Sequence, residues 1–505
     1  LKQTSISRYL ILCVIAVVVI LAGCNNNETS NNESSGSDDD RMELRVFVPT
    51  FSTEPPTDSS PVLQAIEDYT NKNISMEWAP NSNLDDRFNI TLSSGDLPHV
   101  MYVPSKSPSF ISAVEDGAFW ELSPYLDDYP NLSQANDIIL NNSSINGEIY
   151  GIYRSRDLGR NGVIIRKDWL ENLGLEEPET IDEFYDMLKA FTEDDPDGNG
   201  EDDTYGMVVS QFEGPWDTMQ TWFGVPNKWG EDEDGNLYPF FLDDNYMEAL
   251  DFFKQLYDEG LVNDDFAVMD PAQWSDEVIA GKAGVQVNVL DEGHRIQETM
   301  LEGDPDNDDP ITVINAVEGP NGLFNLPTSG YSGMLAISRT AVQTEEELAE
   351  VLDFLDKLND EEVQILAENG IEGRHYEMVD GEYQSLADED QNLQSEYDGL
   401  NQMLMYLPEP LSLTPEATEL RQLETDLMLE NEEIVVPNPA EALISEIYSR
   451  QGQQLDTIVL DARIQYIAGQ IDESGLDEAV DLWLQSGGQD YIDEINQLYQ
   501  EADLE

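Results

Sequence analysis

Two periodicities alternate along the chain. Leu44-Arg45-Val46-Phe47-Val48 alternates apolar and polar positions and predicts a first strand, followed by a helix over Pro61 to Tyr69. Buried strands are predicted at Gly162 to Arg166, Val285 to Val289, Ile311 to Ile314 and Met334 to Ile337. Two helices carry their own start markers. Thr180 with Glu183, and Thr344 with Glu347, have the Ser/Thr-x-x-Glu spacing in which side chain and backbone cap each other. Behind the first come Phe184, Met187, Leu188 and Phe191; behind the second come Leu348, Val351, Leu352 and Leu355. Each set forms one helical face directed at a core. From Leu386 onward the pattern is mainly helical, with Ile464, Ile467, Ala468 and Ile471 on one face. No internal repeat is visible. The expectation is an α/β protein with a helical C-terminal third.

The first residues follow a different pattern. Lys2 and Arg8 precede an unbroken, mostly aliphatic run from Tyr9 to Ala22, with Leu1 read as an initiator position. Fourteen residues fall short of the ~20 that span a bilayer and suit the core of an export signal. The run ends in Leu21-Ala22-Gly23-Cys24, which reads as a lipoprotein box: small residues admit a peptidase and the Cys24 thiol takes the lipid. The alternative is an ordinary thiol after an uncleaved anchor. Cys13 and Cys24 are the only cysteines, so the body has no disulfide, thiolate metal site or cysteine nucleophile. From Asn25 to Arg41 there is no aliphatic residue, which predicts a flexible tether.

Charge changes the picture next. Of 505 residues, 105 are Asp or Glu and 23 are Lys or Arg, for a formal charge of −82. Such a body repels phosphate backbones and anionic headgroups, which excludes a nucleic-acid role. With 40% hydrophobic residues the chain is still able to build a core, so disorder is not implied. The acids are spread along the whole length, which points to a surface adapted to strong salt.

Several chemistries are absent as motifs. The three histidines, at 99, 294 and 375, show no zinc-protease spacing; Gly281-Lys282 lacks the rest of a phosphate loop; and Gly330-Tyr331-Ser332-Gly333 has its second glycine one position early for a nucleophile elbow. Paired carboxylates are too common here to identify a glycosidase.

Three local signals remain. In Asp195-Pro196-Asp197-Gly198-Asn199-Gly200-Glu201-Asp202-Asp203, oxygen donors alternate around a glycine at the sixth position, as in a calcium loop. Asp195, Asp197, Asn199 and Asp203 would offer side-chain oxygens and Glu201 its carbonyl. Gly206 stands where a calcium-sensing loop has a bidentate Glu, so a structural ion is expected; the plain alternative is an acidic turn. Second, Arg154, Arg156, Arg160, Arg166 and Lys167 put five cations into fourteen residues. They suit a carboxylate or sulfate on a ligand, or internal pairing with the many acids. Third, Trp216, Trp222, Trp229 and Trp274 lie in loop-like stretches and offer either ring faces to a sugar or bulk to a core.

Together these segments resemble the extracellular solute-binding proteins of family 1, the sugar-capturing lipoproteins of bacterial ATP-binding-cassette importers. The likeness is carried by Asn146 to Ile152, Ile165-Arg166-Lys167-Asp168-Trp169-Leu170, the Asp195–Gly206 loop, Gly281 to Gly284, Gly370 to Tyr376, and the tail from Ile467 through Gly487-Gly488 to Tyr499. It implies a two-lobe periplasmic-binding-protein-like fold with ligand between the lobes and hinge crossings near 155, 285 and 338. Residues 1–23 would be signal and 24–42 tether. The first lobe would hold 43–155 and 286–338, and the second 156–285 and 339–505 with the calcium loop. The expected ligand contacts are Tyr153, Arg154, Arg156, Trp216, Trp222, Trp274, Tyr331, Arg374 and Tyr376. The implied function is a monomeric, lipid-anchored protein on the outer face of the membrane. It would capture an oligosaccharide, with uronate as one candidate component, for the membrane subunits of a permease. The competing reading is a secreted glycan-degrading lipoprotein.

The charge yields a direct test. At ~1 M salt the screening length shrinks to ~3 Å and self-repulsion fades. The melting temperature should therefore rise from dilute buffer to molar salt, and an unchanged value would count against salt adaptation.

Overall fold

The computed structural model describes residues 41–502 apart from 53, 304–306, 308 and 388–389. The expected signal, Cys24 and nearly all of the tether lie outside the described residues. The tether was expected to run through 42, but regular structure already begins there.

The strands are β1 (Met42–Thr50), β2 (Lys72–Pro80), β3 (Val100–Val103), β4 (Ile152–Ser155), β5 (Asn161–Arg166), β6 (Tyr205–Met207), β7 (Trp229–Glu231), β8 (Leu237–Pro239), β9 (Ala283–Val289), β10 (Ile311–Ile314), β11 (Tyr331–Ile337), β12 (Tyr376–Val379) and β13 (Glu382–Ser385). Five form one sheet in the order β2-β1-β3-β11-β4, and four form another in the order β10-β5-β9-β6. In the first, β1 lies parallel to β2 and β3, and β11 returns antiparallel between β3 and β4. In the second, β5 is antiparallel to β10 and β9, and β6 runs parallel to β9. β7–β8 and β12–β13 are small hairpins.

Local physics places the elements as predicted. Ser60 caps the helix Pro61–Thr70, its hydroxyl accepting from the N–H groups of Val62 and Leu63. Both capping boxes form, opening the helices Ile181–Glu193 and Glu345–Lys357. Phe184, Met187, Leu188 and Phe191 are all buried. Each such side chain contributes roughly 1.5–3 kcal/mol of burial. The C-terminal third carries the helices Glu419–Asn431, Glu446–Ile467, Glu473–Trp483 and Gln489–Glu501. Irregular segments at 404–418 and 432–445 interrupt the helical run that was expected.

The expected lobe boundaries need correction. β9 and β10, within 283–314, pair with β5, so of the 286–338 segment only β11 joins the first sheet. Conversely, Val342 to Leu407 pack into the first core, although 339 onward was assigned to the second lobe. The chain therefore crosses between sheets at 156–160, 315–330 and 408–418; only the first agrees with the expectation. An apolar strand shows that it is buried, but not which sheet receives it.

One ion cluster ties the C-terminal helices to the second core. Arg463, on Glu446–Ile467, is 2% exposed and donates to Asp217 Oδ1 at 2.6 Å and to Glu213 Oε2 at 2.9 Å. Lys228 Nζ donates to the other Asp217 oxygen at 3.2 Å. Burial by itself raises the Asp217 carboxyl, but Arg463 and then Lys228 outweigh it and hold the group below its ordinary value. The Arg463→Ala variant should lose about 3–5 kcal/mol, the cost of removing one member of a buried ion cluster; urea unfolding reads this directly. A depressed carboxylate stabilises above its unfolded pKa of about 3.9, and that stability is lost as pH falls through the lower folded value. The gap between wild type and variant should accordingly narrow on acidification through that window.

Candidate ligand-binding site

The crossings bring corresponding ends of the two sheets together. Tyr331 lies opposite Ser155 at the end of the first sheet, and Asn161 lies opposite Val289 at the end of the second. The segment 156–160 joins these ends. Two cavities flank it. Arg160 lines one and its neighbour Asn161 the other; Asp291 and Asn288, beyond and at the end of β9, divide in the same way.

The larger cavity, about 640 Å³, is lined by Arg154, Arg156, Arg160, Asp291, His294 and Arg421 among others. Arg160 is committed to Asp291 through two bonds of 2.6 Å. Arg154 is buried and donates to the carbonyls of Leu404 (3.0 Å) and Asn401 (3.3 Å) and to Gln402 Oε1 (3.2 Å), with its guanidinium over the Tyr102 ring. Arg421 meets His294 Nε2 at 3.0 Å, and His294 Nδ1 lies 2.7 Å from Glu424. Burial raises the Glu424 carboxyl. Burial and then the neighbouring Arg160 push the Arg156 guanidinium below its ordinary value. Among the described residues Arg154, Arg156 and Arg421 have no carboxylate partner, in a chain with 105 acids.

The second cavity, about 550 Å³, is lined by Asn161, Gln211, Phe212, Lys228, Asn288 and Leu326 among others. Phe212 follows β6 and is 53% exposed; Phe51 follows β1 and is 70% exposed. These are the free ring faces at the strand ends.

The candidates read from the sequence are distributed unevenly. Arg154 and Arg156 line the larger cavity. Tyr153 is buried on the opposite side of β4, where its hydroxyl accepts from the Asn136 N–H at 2.8 Å and burial pushes it up to about 12. Trp216, Trp222 and Trp274 are corrected to core residues. Trp222 is fully buried against Phe184, and Trp216 packs between Phe253 and Phe266. Trp274 is buried in the second lobe with the edge of Phe212 against it. Tyr331 is half-buried at the start of β11 and lines neither cavity. Arg374 is bound to Glu396, and Tyr376 is buried against Tyr383 in the β12–β13 hairpin; neither reaches the cavities. Phe212, Lys228, His294 and Arg421 were missed. The available signal was the positions just after strand β6, where α/β sheets place ligands.

The 195–203 loop is tightly folded and exposed. Asp195 and Gly200 adopt positive φ, 49° and 82°. Asn199 Nδ2 donates to Asp197 (2.8 Å) and Asp203 (3.1 Å), the Gly200 N–H donates to Asp195 (3.1 Å), and the Glu201 N–H to Asn199 Oδ1 (2.6 Å). The carboxylates thus surround the Asn199 amide, and among the described residues no three acid, histidine or cysteine side chains converge as a metal group. The donor set is oxygen-only and the turn is closed, which matches the chemistry of a calcium loop.

Comparison with known proteins agrees with this architecture. The chain is 52% identical over 465 residues to lipoprotein LipO of Bacillus subtilis strain 168, covering 91% of this chain and 92% of that one. It is 35% identical over 457 residues to the polygalacturonan/rhamnogalacturonan-binding protein YtcQ of the same organism, covering 90% of each. Its fold matches an HMO-binding, ABC-transporter-associated solute-binding protein of Bifidobacterium longum infantis with a TM-score of 0.67 at 18% identity, over 91% of this chain and 99% of that one. YtcQ and the Bifidobacterium protein are named for binding, and LipO as a lipoprotein. Residues 53–365 match the model of the bacterial extracellular solute-binding proteins, and the chain belongs to that family.

Proposed function

We propose that this protein captures a uronate-containing oligosaccharide between its two sheets and delivers it, chemically intact, to the membrane subunits of an ABC importer. The observation that carries the reading is the set of three arginines without carboxylate partners around one cavity. A guanidinium without a carboxylate keeps its charge uncompensated, and its fork matches a carboxylate with two parallel hydrogen bonds. The name of the YtcQ relative, which binds polymers of acidic sugars, supports the same class. Phe212, in the neighbouring cavity, supplies an apolar face for a sugar ring. Anchoring through a lipid on Cys24 is supported by the sequence of the box and by the lipoprotein relative. The working form on the outer face of the membrane is a monomer.

Calorimetry with oligogalacturonates and with neutral oligosaccharides of equal length tests the reading. Uronates should bind and neutral chains should bind much more weakly. Arg156→Ala, which removes no internal bond, should weaken uronate binding by about 1.5–3 kcal/mol, the worth of a charge-assisted hydrogen bond. Equal affinity for both sugar classes, or an unaffected variant, would remove the uronate assignment. Shortened sugar recovered from the mixture would overturn delivery of an intact ligand.

We further propose that Asp195, Asp197, Asn199 and Asp203, with the Glu201 carbonyl, hold a structural calcium ion. The ion would take over the oxygens now turned toward N–H donors and clamp the loop. Calcium at 100 times its dissociation constant should add about 2.7 kcal/mol of stability. Chelator should reverse this, and Asp197→Ala should abolish the difference. A melting curve indifferent to calcium would remove the ion from the account.

A further inference from the structure

We propose that the bound chain continues past Lys228 into a second, aromatic-walled cavity beneath the C-terminal helices, so that the protein selects oligosaccharides by length. This rests on the oligosaccharide reading above.

The cavity measures about 450 Å³, within the ~300–1,000 Å³ of small-ligand sites. Its aromatic lining includes Trp229, Phe241, Tyr448, Trp483 and Tyr491. Tyr448 and Tyr491 are stacked 5.1 Å apart at 26°, Trp229 meets Tyr491 edge-on at 5.1 Å, and Phe241 meets Trp483 at 4.9 Å. Charged groups stand among the rings: Glu213, Lys228, Asp456 and Arg463. Rings interleaved with hydrogen-bonding side chains suit a sugar, which has an apolar face and a polar rim.

The cavity shares wall residues with the site already described. Glu213 and Lys228 line both it and the 550 Å³ cavity beside β9. A third space of about 210 Å³ adjoins both; it shares Asp217 and Lys228 with the one and Lys228, Asn438 and Glu441 with the other. Lys228 is thus common to all three walls, and it holds φ of +61°, a left-handed conformation rare for a lysine.

A second observation points to a ligand rich in donors. Asn142 Oδ1 and Gln220 Oε1 are buried acceptors without a hydrogen-bond partner, on side chains from residues only 5% and 2% exposed. Both residues line the third space. Orphaned buried acceptors are costly and call for a donor. Sugar hydroxyls passing Lys228 would donate to both.

Chain length is the test. Titrate the protein with α-1,4-linked oligogalacturonates from the dimer to the hexamer, for wild type and for Tyr448→Ala, whose ring is exposed enough to be removed without opening a core. Affinity of the wild type should rise with length beyond the dimer before levelling. The variant should bind the dimer like wild type and the longest chains about three- to tenfold more weakly, the worth of one aromatic stack. Equal wild-type affinity at all lengths overturns the extension, and so does a variant that loses dimer and hexamer binding alike or neither. In those cases uronate capture stands, because the dimer binds. If no member of the series binds, both readings fall. The wild-type length series decides the matter even if the variant does not fold.

Discussion

The structure is organised by a shortage of positive charge. With 23 cationic side chains against 105 acids, Coulomb attraction assigns most lysines and arginines among the described residues to a carboxylate. Arg160 goes to Asp291, Arg166 to Asp168, Arg374 to Glu396, and Arg463 to Asp217 and Glu213. Against that background a guanidinium held by carbonyls, as Arg154 is, or by nothing, as Arg156 is among the described residues, stands out.

The second constraint is topological. β11 returns antiparallel into the first sheet and β5 leaves from its edge strand, so the crossings pass through one narrow zone between two separately packed cores. Each lobe keeps its rigidity through its own apolar side chains. The zone between them is left to polar side chains, loops and cavities, which is where a ligand competes with water rather than with packing. The crossings at 156–160, 315–330 and 408–418 are the segments through which relative motion of the lobes would pass.

The tryptophans show why a residue type is a poor guide to a site. Trp216 and Trp222 lie on a nine-residue helix, Gly214–Trp222, that begins with glycine and proline and therefore looks like a loop in sequence. Its whole length from Pro215 to Trp222 is buried, so no polar face betrays the helix. Among the described residues the most exposed rings are Phe51, Phe212 and Tyr448, none of them a tryptophan. Burial of a large ring is decided by what packs over it, and that information is spread over distant segments.

Local sequence settled what depends on neighbours a few residues away: the strands at 44–48, 162–166, 285–289, 311–314 and 334–337, both capping boxes, and the shape of the 195–203 loop. Hydrogen bonds and steric limits within one turn or one pleat are short-ranged, so the chain writes them plainly. The family resemblance added the two-lobe plan. Tertiary structure alone decided that β9 and β10 join β5, that 342–407 returns to the first core, and that His294 and Arg421 arrive beside Arg154 and Arg156. Those outcomes depend on which apolar faces and which charges find each other across hundreds of residues, and no local pattern encodes that pairing.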